Sequence, residues 1–181
     1  MKTMMMATAA FAVSAFAAFA ENPMVGGAAM YEDKNIVENA VNSADHTTLV
    51  AAVQAAGLVE TLQGAGPFTV FAPTNAAFEK LPAGTVEGLL KPENKDQLTK
   101  ILTCHVVGAE AMSEAIVKMI ADDGGMHPVK TVGGCEFTAM MDGDKVQIKD
   151  GQGNIATVTI ADVKQSNGVI HVIDTVLLPA S

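Results

Sequence analysis

A chain of 181 residues with 49% hydrophobic residues is long enough for one domain with its own core. Aromatic residues make up only 4% of the chain, with no Trp and one Tyr, so this core must be aliphatic. The formal net charge is −9 and the chain contains no Arg. Because phosphate contacts need clustered Lys or Arg, we expect no nucleic-acid partner.

The first 20 residues have the pattern of a secretory signal peptide. Lys2 supplies a basic start, residues 4–19 are apolar or small, and Ala18-Phe19-Ala20 forms an A-x-A cleavage site. A membrane anchor is the alternative, but the apolar stretch is short for a span and no basic cluster follows it. We therefore expect a signal peptide at 1–20, a mature chain that starts at Glu21, and no transmembrane span after cleavage.

The helical part of the chain follows a lead-in at residues 21–34. Apolar residues recur there at spacings of three and four, as in helices that bury one face. The predicted helices and helical turns span residues 33–44, 47–57, 58–63, 76–81, 85–90, 92–103 and 113–121. The candidate N-caps are Asp45 or Thr47 for the second helix, Thr74 or Asn75 for the fourth, and Ser113 for the last.

The strands lie mostly at the end of the chain, apart from a short apolar strand predicted at 68–71. After His127 the hydrophobic period changes from 3.6 to 2, and turns rich in Gly, Asn and Asp separate the apolar runs. The predicted strands span residues 129–132, 135–141, 145–149, 155–163 and 169–178. The last is apolar on both faces, so it should be central and buried. Helices followed by strands favour an α+β fold over a doubly wound one.

The two cysteines, Cys104 and Cys135, favour one disulfide in an exported protein. Two buried free thiols are the open alternative. The chain has no C-x-x-C redox motif, and the further ligands that a zinc site needs are missing.

No motif in the chain points to catalysis. Cys104 and His105 are adjacent, and we expect a strand there, in which their side chains point to opposite faces, so we interpret His105 as a core histidine. His171 lies in an apolar strand and has the same interpretation. The four histidines lack metal-binding spacing, the turn at residues 142–144 does not continue as a calcium loop, and no nucleotide-binding or nucleophile motif occurs. We expect no catalytic residue, metal or cofactor.

Two segments about 100 residues apart resemble the signature boxes of the fasciclin-type adhesion domain. They span residues 66–78 and 167–179, and the similarity extends over residues 35–179. The matching residues are Thr69, Phe71, Pro73, Thr74, Asn75, Phe78, Asn167, Gly168, His171 and Asp174. Between the boxes the family has a Tyr–His pair before two apolar residues, and here Cys104 replaces the tyrosine while His105 is kept.

The resemblance implies a wedge-shaped β-sandwich of mixed sheets with helices packed on one side. It also implies a non-enzymatic adhesion module that binds a cell-surface or matrix protein or glycan, with the box residues serving structure or adhesion. With the leader, it predicts an exported protein that is periplasmic, cell-surface or secreted. The alternative is a periplasmic small-ligand-binding or catalytic protein with a pocket near His105, in which polar groups should converge on a concave site.

Overall fold

Residues 22–180 are described by a computed structural model. The predicted signal peptide and its cleavage site lie outside these residues. The lead-in contains a small antiparallel hairpin of β1 (Met24–Val25) and β2 (Ala28–Ala29). Val25 and Met30 are buried in the domain core, so the hairpin packs against the helical part.

Within residues 22–180, seven α-helices follow the predicted order. They are α1 (Ile36–Ala40), α2 (Thr47–Ala56), α3 (Val59–Gln63), α4 (Asn75–Glu79), α5 (Thr85–Leu89), α6 (Lys95–Cys104) and α7 (Ser113–Asp122). Short 3-10 turns at Ala44–His46 and Pro92–Asn94 precede α2 and α6. The predicted helix at 33–44 is shorter than expected, because Asn35 and Glu38 form a capping box that starts α1 at Ile36. Gly57 ends α2 in the left-handed region at φ 72°.

The remaining seven strands form one mixed sheet. They are β3 (Phe68–Pro73), β4 (Val106–Val107), β5 (Met126–Lys130), β6 (Glu136–Asp142), β7 (Lys145–Lys149), β8 (Ile155–Gln165) and β9 (Gly168–Ile173). Their order is β4-β3-β9-β8-β7-β6-β5, and only the β3–β9 pair is parallel. The central position of the fully buried β9 is confirmed. It ends at Ile173 rather than residue 178, and the chain continues without a strand to residue 180.

The long strand β8 bends the sheet into a wedge. Its first residues pair with β7, and residues 158–165 pair with β9 through two register shifts. Asp162 lies at the second shift with a φ of 58°, which is rare for a residue other than Gly. The two halves of the sheet can therefore face each other across a shared interior.

Two hydrophobic clusters fill the two sides of the β3–β9 pair. Val70 and Ile170 point to the first cluster, beneath α1 to α6, whereas Phe71 and Ile173 point to the second, inside the wedge. This alternation follows from the period of two in each strand. The α+β wedge is confirmed. Unlike α1 to α6, helix α7 packs against β5–β7, and its residues Ile116 and Ile120 lie in the second cluster.

Candidate functional site

Both signature boxes contact the loop that leads into α7. The buried hydroxyl of Thr69 donates to the carbonyl of Ala109 at 2.6 Å and accepts from the N–H of Ala111 at 2.8 Å. In β9, Nε2 of His171 donates to the Ala111 carbonyl at 2.7 Å, and Nδ1 accepts from the N–H of Asp162 at 3.2 Å. The polar atoms of both motif residues are therefore used within the domain.

The capping residues at the start of α4 have separate roles. Thr74 is the N-cap of α4 and accepts from the N–H of Ala77 at 3.3 Å. Asn75 instead caps α2, because its Oδ1 accepts from the N–H of Thr48 at 3.0 Å and its Nδ2 donates to the carbonyl of Ala44 at 2.8 Å. The N-caps predicted for α2 were Asp45 and Thr47, and neither caps this helix through its side chain.

Asn167 joins two helices to the second box. Its Oδ1 accepts from the N–H of Ile36 at the start of α1, at 3.1 Å. Its Nδ2 donates to the carbonyls of Leu62 and Gly64, at 2.6 and 3.0 Å, at the end of α3. Every hydrogen-bonding group of this buried amide thus serves the packing of α1 and α3 against the sheet.

The apolar motif residues are buried in the interior of the domain. They are Phe71, Pro73, Phe78 and Gly168. The ring of Phe71 stacks on the ring of His171, with centroids 5.7 Å apart. A Cβ at Gly168 would overlap the carbonyl of Phe68 on the neighbouring strand, so only glycine fits there.

Asp174 is the motif residue whose charge is most accessible, with 41% of its side chain exposed. Its Oδ1 accepts from the N–H of Thr157 at 2.8 Å, and Nζ of Lys80 donates to its backbone carbonyl at 2.7 Å. The separation of 3.9 Å between Lys80 Nζ and Asp174 Oδ2 makes this a solvent-exposed ion pair of small energetic weight.

Cys104 and Cys135 form a disulfide in the structure, with their Cα atoms 5.4 Å apart. Both residues are buried, and the bond links the end of α6 to the start of β6. Neither sulfur is a free thiol there, which removes the nucleophile that a Cys104–His105 pair would need.

The strand setting predicted for His105 is wrong, because α6 continues through Cys104 and His105 is its C-cap at φ −86° and ψ −2°. Its Nδ1 donates to the carbonyl of Ile101 at 2.8 Å, and Nε2 accepts from the N–H of Leu177 at 2.9 Å. Burial lowers the pKa of His105 to about 4, against smaller opposing effects of the Ile101 carbonyl and of Asp150. His105 is thus a neutral structural residue.

Asp150 makes buried contacts that the sequence did not predict. Asp150 lies in one of the turns rich in Gly, Asn and Asp, yet it is only 6% exposed and accepts from the N–H groups of Gln152, Asn154 and Leu178 at 2.8–2.9 Å. It therefore fixes the β7–β8 turn and the C-terminal segment together. The alternation of Asp150, Gln152 and Asn154 was visible, but its partner Leu178 lies 28 residues away.

The predicted N-cap role of Ser113 is also wrong. The N-cap of α7 is Met112, which makes no side-chain cap. The carboxylate of Asp162 accepts from both the N–H of Ser113, at 2.6 Å, and its hydroxyl. Asp162, at the second register shift of β8, thus places a negative charge at the N-terminus of α7, where the helix dipole stabilises it.

A cavity of about 50 Å³ lies between α1, α2, α3 and the sheet, and His105 is one of its lining residues. Both ring nitrogens of His105 are bonded to the backbone elsewhere, so His105 offers the cavity no free polar atom. The arrangement differs from a catalytic pocket, in which several polar groups converge on one point.

The described part of the chain has neither a cluster of metal-binding side chains nor a helix that could span a membrane. Across residues 22–180, no three His, Cys, Asp or Glu side chains gather closely enough to hold a metal ion. Over the same range, no helix combines the length and the apolar character that crossing a membrane requires.

The chain is similar to known proteins over most of its length. The family model for the fasciclin domain matches residues 44–179. "Protein sll1483" of Synechocystis is 48% identical over 159 residues, which cover 88% of this chain and 81% of that protein. "Cell surface glycolipoprotein MPB83" of Mycobacterium bovis is 36% identical over 167 residues, or 88% of this chain and 68% of that protein.

The fold is similar to that of the FAS1 domain pair from the insect cell adhesion molecule Fasciclin I. The TM-score is 0.69 at 18% sequence identity, and the match covers 80% of this chain and 51% of that one. At this identity the match concerns the fold alone, and it agrees with the α+β wedge described above.

Proposed function

The chain belongs to the fasciclin domain family, and we propose that it is an exported, non-enzymatic module that binds a cell-surface or matrix protein or glycan. The proposal is supported by the similarity to a protein named as a cell surface glycolipoprotein and by the fold shared with a cell adhesion molecule. The signal-peptide pattern at residues 1–20 supports its export to the periplasm, the cell surface or the medium.

One observation carries the non-enzymatic part of the proposal. The polar side chains of the buried motif residues Thr69, His105, Asn167 and His171 all make hydrogen bonds inside the domain. A catalytic site would instead direct such groups toward a substrate. In this proposal the boxes build a rigid scaffold, and a partner binds a surface that the scaffold presents.

The decisive experiment measures binding of the mature domain to intact cells and to isolated matrix. We expect saturable binding of the labelled, disulfide-intact domain, and none for a reduced and unfolded sample of the same chain. Protease treatment of the target surface should abolish binding to a protein, and glycosidase treatment should abolish binding to a glycan. Binding that does not saturate, or that the unfolded chain reproduces, would contradict the proposed function.

A pair of variants in the same assay tests whether the carboxylate of Asp174 contacts the partner. Asp174→Asn keeps the acceptor for the Thr157 N–H but removes the charge, and Asp144→Asn makes the same change in an exposed turn outside the boxes. If the boxes are purely structural, both variants should bind as the wild type does. Selective loss with Asp174→Asn would assign a direct adhesion contact to the second box.

A further inference from the structure

The cavity beneath the helices has almost entirely apolar walls. Its lining includes Ile36 of α1, Val53 of α2, Leu62 of α3, Val70 of β3 and Ile170 of β9. At about 50 Å³ it exceeds the roughly 10–15 Å³ that one water molecule requires. Apolar cavities of this kind favour small apolar molecules over water, because water finds no hydrogen-bond partners there.

The exceptions among these walls are two imidazoles, and that of His46, which is 3% exposed, differs from that of His105 in its hydrogen bonding. Its Nδ1 lies 2.9 Å from the hydroxyl of Ser43, whereas Nε2 is the one buried side-chain nitrogen or oxygen without a hydrogen-bond partner within residues 22–180. The backbone of Ala72 is near enough to favour the charged ring, but it makes no hydrogen bond with Nε2. Buried polar atoms without a partner are rare and call for an explanation.

The partner of Nδ1 decides which tautomer His46 adopts. Ser43 is also buried, and the imidazole is the one hydrogen-bond partner of its hydroxyl in the described structure. The hydroxyl proton is therefore satisfied only if it is donated to Nδ1. Burial lowers the pKa of His46 and keeps the ring neutral, so Nε2 carries the remaining proton and is a donor.

A molecule can reach this cavity through two parts of its wall. Ala40 and Val50 line it and are partly exposed between α1 and α2. Val25 and Met30 close it from the lead-in, where each strand of the β1–β2 hairpin has only two residues. Short strands of this kind open at low free-energy cost.

We propose that the cavity is a binding site for a small apolar molecule with one acceptor oxygen, and that Nε2–H of His46 donates to this oxygen. A short ketone or alcohol of about three to five non-hydrogen atoms matches the volume of about 50 Å³, since one water-sized group needs roughly 10–15 Å³ of it. This inference does not depend on the proposed adhesion function.

The test is a titration of the purified, folded protein with butan-2-one, followed by NMR of the histidine ring nitrogens and the Val53 and Leu62 methyl groups. We expect saturable shifts of His46 Nε2 and of both methyl groups, at millimolar concentrations that suit so small a ligand. The ring signals of His105 and His171 should stay constant, because their nitrogens are already bonded to the backbone. Xenon should shift the same methyl groups without changing the hydrogen bonding of His46.

Two matched variants test whether butan-2-one binds in the cavity or on the surface of α1 and α2. Ala40→Leu places a larger side chain in the cavity and should abolish butan-2-one binding. Ala51→Leu makes the same change at an exposed position of α2 and should leave binding unchanged. His46→Phe keeps a ring but removes the donor, so butan-2-one affinity should fall about fivefold while xenon binding persists.

If His46→Phe fails to fold, the comparison of Ala40→Leu with Ala51→Leu and the nitrogen signal of wild-type His46 still test the proposed site. Absence of saturable shifts in the wild type would overturn the proposal, as would equal binding by Ala40→Leu and Ala51→Leu. A His46 Nε2 signal that is already hydrogen-bonded and does not move with butan-2-one would assign the site to water, which also overturns it.

Discussion

Nε2 of His105 accepts a hydrogen bond at 2.9 Å from the N–H of Leu177, which lies 72 residues further along the chain. The opposite nitrogen donates to Ile101 within α6, so one imidazole attaches the C-terminal segment to the end of that helix. Because Leu177 is fully buried in the second cluster, this bond also fixes where the chain continues after β9.

Replacing His105 with alanine should destabilise the fold rather than remove an activity. His105→Ala leaves the Leu177 N–H without its partner and creates a small cavity, so we expect a loss of roughly 1–3 kcal/mol in the free energy of unfolding. Urea unfolding measures it, and His127→Ala at a less buried position is the control. Partner binding should weaken only as far as the folded fraction falls. A wild-type melting temperature combined with no binding would show that His105 is a contact residue.

The buried histidines should make the protein less stable at acidic pH. Burial holds the pKa of His105 at about 4 in the folded state, against about 6.5 in the unfolded chain. The unfolded state therefore binds more protons below pH 6.5, and stability should fall as the pH drops from about 6.5 to about 4. The loss from His105 is on the order of 3 kcal/mol. Burial lowers the pKa values of His46 and His171 in the same direction.

Urea unfolding between pH 7.5 and 4 tests this dependence. His105→Gln can replace both hydrogen-bonding groups but does not titrate, so its stability should decline less over that range than that of the wild type. Parallel curves for the two proteins would contradict the assignment to His105, because carboxylate titration is common to both.

The Cys104–Cys135 bond closes a loop with a sequence separation of 31 residues. Chain-entropy scaling gives a stabilisation on the order of 3–4 kcal/mol for a loop of this length. Unfolding with and without reductant measures the contribution, and non-reducing peptide mapping identifies the bond. Two thiols that can be alkylated in natively purified protein would show that the pair is reduced.

Asn167→Ala should loosen α1 and α3 together. The change removes the acceptor of the buried Ile36 N–H and the donor to the Leu62 and Gly64 carbonyls. We expect a loss of roughly 2–4 kcal/mol, with faster amide hydrogen exchange in both helices. Asn42→Ala, which removes an exposed side-chain bond to the Glu38 carbonyl, should change stability by less than about 0.5 kcal/mol. Equal effects of the two substitutions would show that Asn167 does not hold the helices.

The mature protein should begin at Glu21, after the Ala18-Phe19-Ala20 site. Intact mass spectrometry of the exported protein measures the N-terminus directly. An exported species that retains residues 1–20 would contradict the predicted cleavage.

The hydrophobic periods predicted most elements. A helix or strand buries one face, and this determines the spacing of apolar residues along its own segment. The strand β7 matches its predicted bounds, and α2 ends at Gly57 as expected. The errors occur where a distant contact determines the local structure. Asp162 replaces Ser113 as the group that satisfies the start of α7, and Asn75 satisfies the start of α2 from outside that helix.

The amino-acid sequence is enough to predict the α+β class, the buried central strand and the family, because hydrophobic periods and short motifs are properties of neighbouring residues. The roles of the buried polar groups depend on contacts between residues that are far apart in the chain. Asn167 bonds a residue 131 positions away, and His171 bonds one 60 positions away. His46 gave no signal in the sequence, since an unpaired nitrogen beside an apolar cavity exists only after three helices have packed on the sheet.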